Sequence, residues 1–206
     1  KPQLLLMDEP LSNLDTKLRI QMRSSIGNLQ KEAGITTIFV THDQEEALAL
    51  SDLIGVMNKG HLEQIGSPQD ICQTPRTAFV ANFVGGANLL PLPVQSAPIQ
   101  QGHLHVQTPY GTLKAFVHYP IGANQACLMI RPEDMTLSMQ AGTQANYLPC
   151  RIKGKHYLGS KTHYEIVLED RTALSVQLSG PGHDRYDIDQ SLFAGFEAEN
   201  SLLVRA

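Results

Sequence analysis

Two adjacent acids near the start of the sequence are the side chains best suited to chemistry. Asp8 and Glu9 follow four consecutive apolar residues, and Pro10 then ends the strand by removing a backbone donor. The apolar run predicts a strand buried on both faces of a parallel sheet. Ligands of open α/β sheets lie beyond the carboxyl ends of the strands, so a ligand is expected at these carboxylates. A divalent cation on phosphate oxygens would offset their mutual repulsion and leave the second acid free to accept a proton from water.

The residues around these acids form a longer motif, Leu4-Leu5-Leu6-Met7-Asp8-Glu9-Pro10 followed by Leu11-Ser12-Asn13-Leu14-Asp15. The motif resembles the Walker B segment and D-loop of ABC-transporter ATPases. The resemblance implies that Asp8 holds Mg²⁺ through water and that Glu9 is the general base for the attacking water. It also implies that Ser12 and Asp15 bind the nucleotide, in a loop that faces a partner subunit. The alternative is a strand that merely ends in two solvated acids.

A histidine follows the next predicted strand. Residues 35–40 are mostly β-branched and apolar, and they bring Thr41, His42 and Asp43 to the same sheet edge as the acids, because a strand–helix–strand unit is a right-handed crossover. This stretch resembles the switch-histidine motif of ABC ATPases. The resemblance implies that the imidazole contacts the γ-phosphate and helps to orient the attacking water. Otherwise His42 would be an ordinary core or surface residue.

A helix is predicted between the two strands, with Asp15 as its N-cap and Gly34 as its stop. Its apolar positions recur at helical spacing, at Leu18, Met22, Ile26, Leu29 and Ala33. Its charged residues are expected to form a solvated face: Lys17, Arg19, Arg23, Lys31 and Glu32.

Further along the chain the predicted elements change character. Short helices over 44–50 and 77–84, a helix beginning at Ser67, and strands over 53–58 and 61–66 lead to Gly85-Gly86. Beyond that point short β-like runs alternate with turns, which predicts a small barrel or sandwich. The predicted strands are 104–107, 111–117, 126–130, 135–139, 150–157, 162–168 and 173–178. We therefore predict an α/β domain over residues 1–85, part of a P-loop NTPase with a parallel sheet, and an all-β, OB-like domain over residues 86–206.

The β-rich part carries a second resemblance. It rests on Ile130-Arg131-Pro132-Glu133-Asp134, Tyr157-Leu158-Gly159 and Tyr164-Glu165-Ile166-Val167-Leu168. These fragments resemble the TOBE region, the OB-like regulatory module appended to importer ATPases for sugars, polyamines, ferric iron and sulfate.

The composition argues against nucleic-acid binding, metal sites and disulfides. The net charge of −4 gives no reason to expect nucleic acid as a partner, and the three separated cysteines form no metal or disulfide pattern. An OB-like strand face with basic residues near tyrosines leaves nucleic-acid binding as an alternative, through Arg151, Lys153, Lys155, Lys161, Tyr157 and Tyr164. We expect that face to be solvated instead. Three further histidines are expected at the surface without a metal: His103, His105 and His118.

Together the resemblances imply an ABC importer's ATP-hydrolysing subunit that uses ATP and Mg²⁺ to drive uptake of a solute of the ferric iron, polyamine or sugar type. Expected partners are a second copy of the subunit, transmembrane permease subunits and, indirectly, a periplasmic or extracellular binding protein, with no nucleic acid. The expected location is peripheral, on the cytoplasmic face of the inner or plasma membrane.

The sequence departs from the family pattern in its first half. It contains no G-x-x-x-x-G-K-[ST] P-loop, Q-loop or Leu-Ser-Gly-Gly-Gln signature, and it opens at Lys1 without a starting Met. We therefore expect a C-terminal fragment that is inactive alone. Two alternatives stay open: a regulatory or interaction module without catalysis, and a non-transport ABC ATPase, against which the β-rich tail argues.

Overall fold

The computed structural model describes residues 2–92, 99–100, 103–117 and 126–206, so His118 lies outside the described residues. The chain divides into two compact units, residues 1–73 and 74–206. The predicted domain boundary lay between residues 85 and 86. The structural division comes earlier because the helix at Ala78–Phe83 packs its Ala81 against strands of the second unit.

The first unit is built from short strands and helices. Its elements are β1 (Leu4–Asp8), α1 (Thr16–Ala33), β2 (Thr36–Val40), α2 (Gln44–Leu50), β3 (Ile54–Asn58), β4 (His61–Gly66) and α3 (Pro68–Gln73). β1 and β2 pair in parallel, with Asp8 opposite Val40, and β3 and β4 form an antiparallel hairpin. As predicted, Asp15 caps α1 and Gly34 ends it in the left-handed conformation.

The prediction that β1 is buried on both faces is wrong for the described chain. Leu6 on β1 is 67% exposed, and Ile38 and Val40 on β2 are also exposed. The physical reason is that β1 and β2 form a two-stranded sheet among the described residues, so no third strand extends the sheet and these apolar side chains stay exposed. None of the described helices is long and apolar enough to cross a membrane.

The second unit is a β-domain, and its described residues include one α-helix. Its elements are α4 (Ala78–Phe83), β5 (Asn88–Leu92), β6 (Ile99–Gln100), β7 (His103–Thr108), β8 (Gly111–Phe116), β9 (Ala126–Ile130), β10 (Thr136–Ser138), β11 (Asn146–Tyr157), β12 (Lys161–Leu168), β13 (Ala173–Ser179), β14 (Ser191–Phe196) and β15 (Ser201–Arg205). The strands form two sheets in the orders β5-β9-β15-β8-β7-β6 and β10-β14-β11-β12-β13. Apolar side chains from both sheets share one core, which includes Leu113, Leu128, Leu148 and Ile166.

The second unit consists of two halves whose elements follow a similar order, apart from the additional strand β6 in the first half. β5 begins with Asn88-Leu89-Leu90-Pro91 and β11 begins with Asn146-Tyr147-Leu148-Pro149. Each half continues with a hairpin (β7–β8 or β12–β13), a strand (β9 or β14), a 3-10 turn (Pro132–Asp134 or Ala198–Asn200) and a last strand (β10 or β15). The last strands are exchanged, because β10 pairs with β14 of the second half and β15 pairs with β9 of the first.

A buried asparagine from each half joins it to the other half. The Asn88 amide donates to the carbonyl of Ser175 at 2.7 Å and accepts from the Ser175 N–H at 2.7 Å. The Asn146 amide pairs in the same way with the backbone of Lys114, at 2.9 and 2.7 Å. Each asparagine side chain thus bonds both the N–H and the C=O of one residue, which a neighbouring strand would otherwise bond.

Replacing Asn88 by alanine should lower the free energy of unfolding of the second unit. The substitution leaves the Ser175 N–H and C=O without these partners, which costs about 1–3 kcal/mol. Urea unfolding followed by tyrosine fluorescence measures the effect, because all six tyrosines follow Gln73 and the chain has no tryptophan. The exposed Asn200→Ala is the control and should change stability by less than about 0.5 kcal/mol. Equal effects of the two substitutions would contradict the role given to Asn88.

Candidate functional site

The carboxyl ends of β1 and β2 meet, as the crossover predicts. The ladder continues one residue past β1, because the Glu9 N–H donates to the carbonyl of Val40 at 2.8 Å. Glu9 then turns with φ of 44°, a left-handed conformation that a residue with a side chain rarely adopts. The Ser12 N–H and hydroxyl both donate to the Glu9 carbonyl, at 3.2 and 3.0 Å, and stabilise this turn.

Glu9 and His42 are in direct contact across the two strand ends. Nδ1 of His42 lies 2.8 Å from Oε1 of Glu9, while the His42 side chain is 73% exposed and that of Glu9 is 44% exposed. The hydrogen bond and the negative charge of Glu9 raise the pKa of His42 above its ordinary value. The structure therefore brings the two predicted catalytic residues together on an open edge.

Glu9→Gln should lower the pKa of His42 towards its ordinary value. The carboxylate favours the charged imidazole, so its removal favours the neutral form. An NMR titration of the His42 ring in this chain measures the change, with the exposed Glu32→Gln as control. A His42 pKa that stays the same or rises in Glu9→Gln would mean that Glu9 is not its partner in solution.

Asp8 ends β1 and its side chain is exposed. No described side chain forms an ion pair or hydrogen bond with its carboxylate, and the described residues contain no cluster of three or more His, Cys, Asp or Glu that could hold a metal. A hard cation such as Mg²⁺ commonly takes one or two carboxylates and completes its shell with water and phosphate oxygens. Asp8 fits that limited role.

Ser12 and Asp15 have visible roles in the backbone. The Ser12 hydroxyl bonds the Glu9 carbonyl, and the Asp15 carboxylate accepts from the Leu18 N–H at 3.0 Å as the N-cap of α1. Their contacts with a nucleotide stay a prediction.

The residues on both sides of His42 are held in place. The Thr41 hydroxyl accepts from the Asp43 N–H at 3.0 Å and donates to Glu46 at 2.8 Å, and Glu46 is 2% exposed. Oδ1 of Asp43 accepts from the Glu46 N–H at 3.2 Å and caps α2. Burial works to raise the pKa of Asp43, but the Glu46 amide and the Arg23 guanidinium hold it below its ordinary value.

The prediction of a solvated charged face on α1 is wrong for two of its residues. Arg19 and Arg23 are only 29% and 12% exposed, and both donate to Oδ2 of Asp43 at 3.1 Å. The pairing occurs because α1 packs against α2, which begins with acids. The signal in the sequence was two arginines four residues apart and a cluster of acids after His42, although it did not show that the two would meet.

In the second unit, one tyrosine of the predicted basic strand face is buried. Tyr164 is fully buried and its hydroxyl donates to the His183 carbonyl at 2.8 Å, so it cannot stack on a base.

Arg131, from the Arg-Pro-Glu-Asp motif, donates to the carbonyls of Ala81 at 3.1 Å and Val84 at 2.5 Å and so holds the end of α4. The predicted surface histidine His103 is half-buried, with Nε2 3.5 Å from Glu199, and His105 is also half-buried.

Comparison with known proteins gives these features a context. The TOBE domain family matches residues 128–204, from β9 to β15. The chain is 37% identical over 212 residues to a spermidine/putrescine import ATP-binding protein, PotA, of Pseudomonas aeruginosa, which covers all of this chain and 58% of that protein. It is 43% identical over 170 residues to the Fe(3+) ions import ATP-binding protein FbpC of Escherichia coli O157:H7, covering 82% of this chain and 45% of that protein.

Over most or all of its length the chain is similar to ABC importer ATP-binding subunits, and residues 128–204 match the TOBE domain family. It is also 40% identical over 195 residues to a sulfate/thiosulfate import ATP-binding protein, CysA, of Gloeobacter violaceus, covering 94% of this chain and 50% of that protein. The chain spans about half the length of the curated relatives it matches. The resemblances to ABC importer ATP-binding subunits and to the TOBE region are therefore confirmed.

A solved structure supports the fold of the β-rich part. The cytoplasmic molybdate-binding protein ModG superposes with a TM-score of 0.51 and 15% identity, covering 58% of this chain and 96% of that one. At that identity the likeness concerns the fold alone. The predicted TOBE-type, OB-like β-domain is thereby confirmed.

Proposed function

We propose that this chain forms part of an ATP-hydrolysing importer subunit, in which residues 1–85 carry the hydrolytic end of a P-loop NTPase domain and residues 86–206 a regulatory β-domain. The observation that supports the proposal most directly is the 2.8 Å contact between His42 and Glu9 where two parallel strands end. A solvated, unused acid would not need a left-handed backbone or a histidine partner. Full-length relatives named as import ATP-binding proteins support the same activity.

Each residue of the site has a proposed role. Glu9 accepts a proton from the attacking water, and His42 orients Glu9 through their hydrogen bond. The contact of His42 with the γ-phosphate, which the family resemblance implies, stays a prediction. Asp8 holds Mg²⁺ through water, while Ser12 and Asp15 place the loop of residues 12–15 against the nucleotide. When bound, ATP supplies the phosphoryl group and Mg²⁺ neutralises charge across its phosphates.

The proposed partners follow from the same assignment. We propose that two copies of the full-length subunit enclose ATP, that they bind permease subunits at the cytoplasmic face of the membrane, and that a binding protein delivers the solute. The solute belongs to the ferric iron, polyamine or sugar type, and named relatives handle the first two. These 206 residues contain no G-x-x-x-x-G-K-[ST] segment, and we propose that hydrolysis depends on a phosphate-binding loop of the full-length subunit.

Asp8→Asn tests the metal role in the full-length protein. An outer partner of a bound metal typically contributes about 10- to 100-fold to its affinity, so Mg²⁺-dependent ATP binding should weaken by that factor. Titrating ATP with and without Mg²⁺ measures it, with the exposed Asp52→Asn as control. An Asp8→Asn protein that binds Mg-ATP like the wild type would contradict the metal assignment. Failure of the wild-type protein to hydrolyse ATP would favour a regulatory module without catalysis.

A further inference from the structure

One arginine connects the two loops that form the site. Arg19 lies on the second turn of α1, and its Nη2 donates to the Leu14 carbonyl at 3.0 Å. Its Nη1 donates to Oδ2 of Asp43 at 3.1 Å. Leu14 belongs to the loop of residues 12–15 that follows β1, and Asp43 directly follows His42 after β2. A single planar guanidinium therefore bridges the two loops.

The bridge ends on a residue that controls the backbone next to His42. One oxygen of Asp43 caps α2 and the other accepts from the guanidinium of Arg19. The imidazole of His42 is itself largely exposed and contacts Glu9. The position of the His42 ring therefore depends on how its backbone is held, and Arg19 is one of the groups that hold it.

We propose that Arg19 is a positioning residue that makes the loop of residues 12–15 and His42 move as one unit, so that a partner subunit engaging that loop sets the contact between His42 and Glu9. This inference rests on the proposed function, in which the loop faces the second subunit. Through Arg19, the position of the loop then affects the contact between His42 and Glu9 without any contact with the nucleotide.

The chemistry of the contact favours positioning over simple stabilisation. The Nε atoms of Arg19 and Arg23 are buried and find no hydrogen-bond partner, a state that costs stability. The Nε of Arg19 lies 3.9 Å from Oε1 of the buried Glu46, which is an ion pair but not a hydrogen bond. Costs of this kind are expected where geometry serves function. A guanidinium also spans two acceptors at fixed angles, which an ammonium cannot do.

Arg23 provides a matched control one turn further along α1. It donates to Oδ2 of Asp43 at 3.1 Å, as Arg19 does, but its second partner is Oε2 of Glu45 at 2.9 Å. Both of its partners lie at the start of α2. A substitution of Arg23 therefore removes one contact to Asp43 and leaves the bridge from Arg19 to the Leu14 carbonyl in place.

The first test is kinetic and uses the full-length subunit with its permease. Arg19→Lys keeps the charge but loses the two-point bridge, so kcat should fall about tenfold while KM for ATP stays within about twofold. Arg23→Lys should keep kcat within about twofold of the wild type. Equal losses in the two variants, or a loss confined to KM, would overturn the proposal.

The second test does not depend on hydrolysis and uses this chain. If Arg19 positions His42, Arg19→Lys should lower the pKa of His42 towards its ordinary value, because the ring moves away from Glu9. If Arg19 acts only through its charge, Arg19→Lys should leave that pKa unchanged and Arg19→Gln should raise it, because a nearby positive charge is lost. An unchanged His42 pKa in Arg19→Lys overturns the positioning role. Absence of ATPase in the wild-type protein would instead overturn the proposed function.

Discussion

Glu9→Gln in the full-length subunit is expected to keep Mg-ATP binding and to lose about 10²- to 10⁴-fold of its turnover. Glutamine has nearly the same shape as glutamate, so it preserves the turn at residue 9, whose stabilising bonds come from the Glu9 N–H and C=O. It cannot accept a proton from water at neutral pH, and that is the function proposed for the carboxylate. Binding and chemistry should therefore separate in this variant.

Steady-state phosphate release and equilibrium nucleotide binding, measured on the same preparation, decide the role of Glu9. The control is Glu32→Gln, which removes an exposed acid near the end of α1 and should leave both quantities unchanged. Near-normal turnover in Glu9→Gln would remove Glu9 from the mechanism. A loss of binding equal to the loss of turnover would make Glu9 a nucleotide-binding residue.

The site could be predicted where it depends on local sequence. Asp8 ends β1, Glu9 follows it directly and His42 lies two residues after β2. One well-capped helix separates the two short strands, so the meeting of these residues follows from the crossover. Arg19 could not be placed, because its contact with Asp43 depends on how α1 packs on α2. Sequence spacing alone does not give that packing.

In the β-domain, too, the sequence predicted some strands but not how distant strands pair. The predicted strands 126–130 and 162–168 were found as β9 and β12, with the second longer by one residue. β5 and β14 were missed because Pro91 and Gly195 interrupt their patterns. Pro91 is tolerated on β5 because that strand is at a sheet edge, and a Cβ at Gly195 would clash with Oε1 of Gln144. The exchange of β10 and β15 between the halves pairs residues far apart in sequence, which local patterns do not report.

His42→Ala is the second substitution expected to have a large effect. His42 makes a single hydrogen bond to Glu9 from an exposed position, so its removal should leave the fold and the nucleotide affinity close to those of the wild type. Without the imidazole Glu9 loses the partner that orients it, and misplacement of a catalytic group by about 1 Å can cost about 10²-fold in rate. Turnover should therefore fall by about that factor. The exposed His61→Ala on β4 is the control.

The rate losses caused by His42→Ala and Glu9→Gln should not be additive in free energy. Because His42 and Glu9 lie 2.8 Å apart and are proposed to act as one unit, the double variant His42→Ala/Glu9→Gln should be no slower than Glu9→Gln alone. Once the base is removed, the group that orients it has nothing left to contribute. Single-turnover phosphate release at saturating Mg-ATP measures all three variants on one scale. Rate losses that multiply in the double variant would show that His42 acts on the nucleotide independently of Glu9. In that case the contact seen between the two side chains would be a resting arrangement, and His42 would carry out its function only after turning away from Glu9.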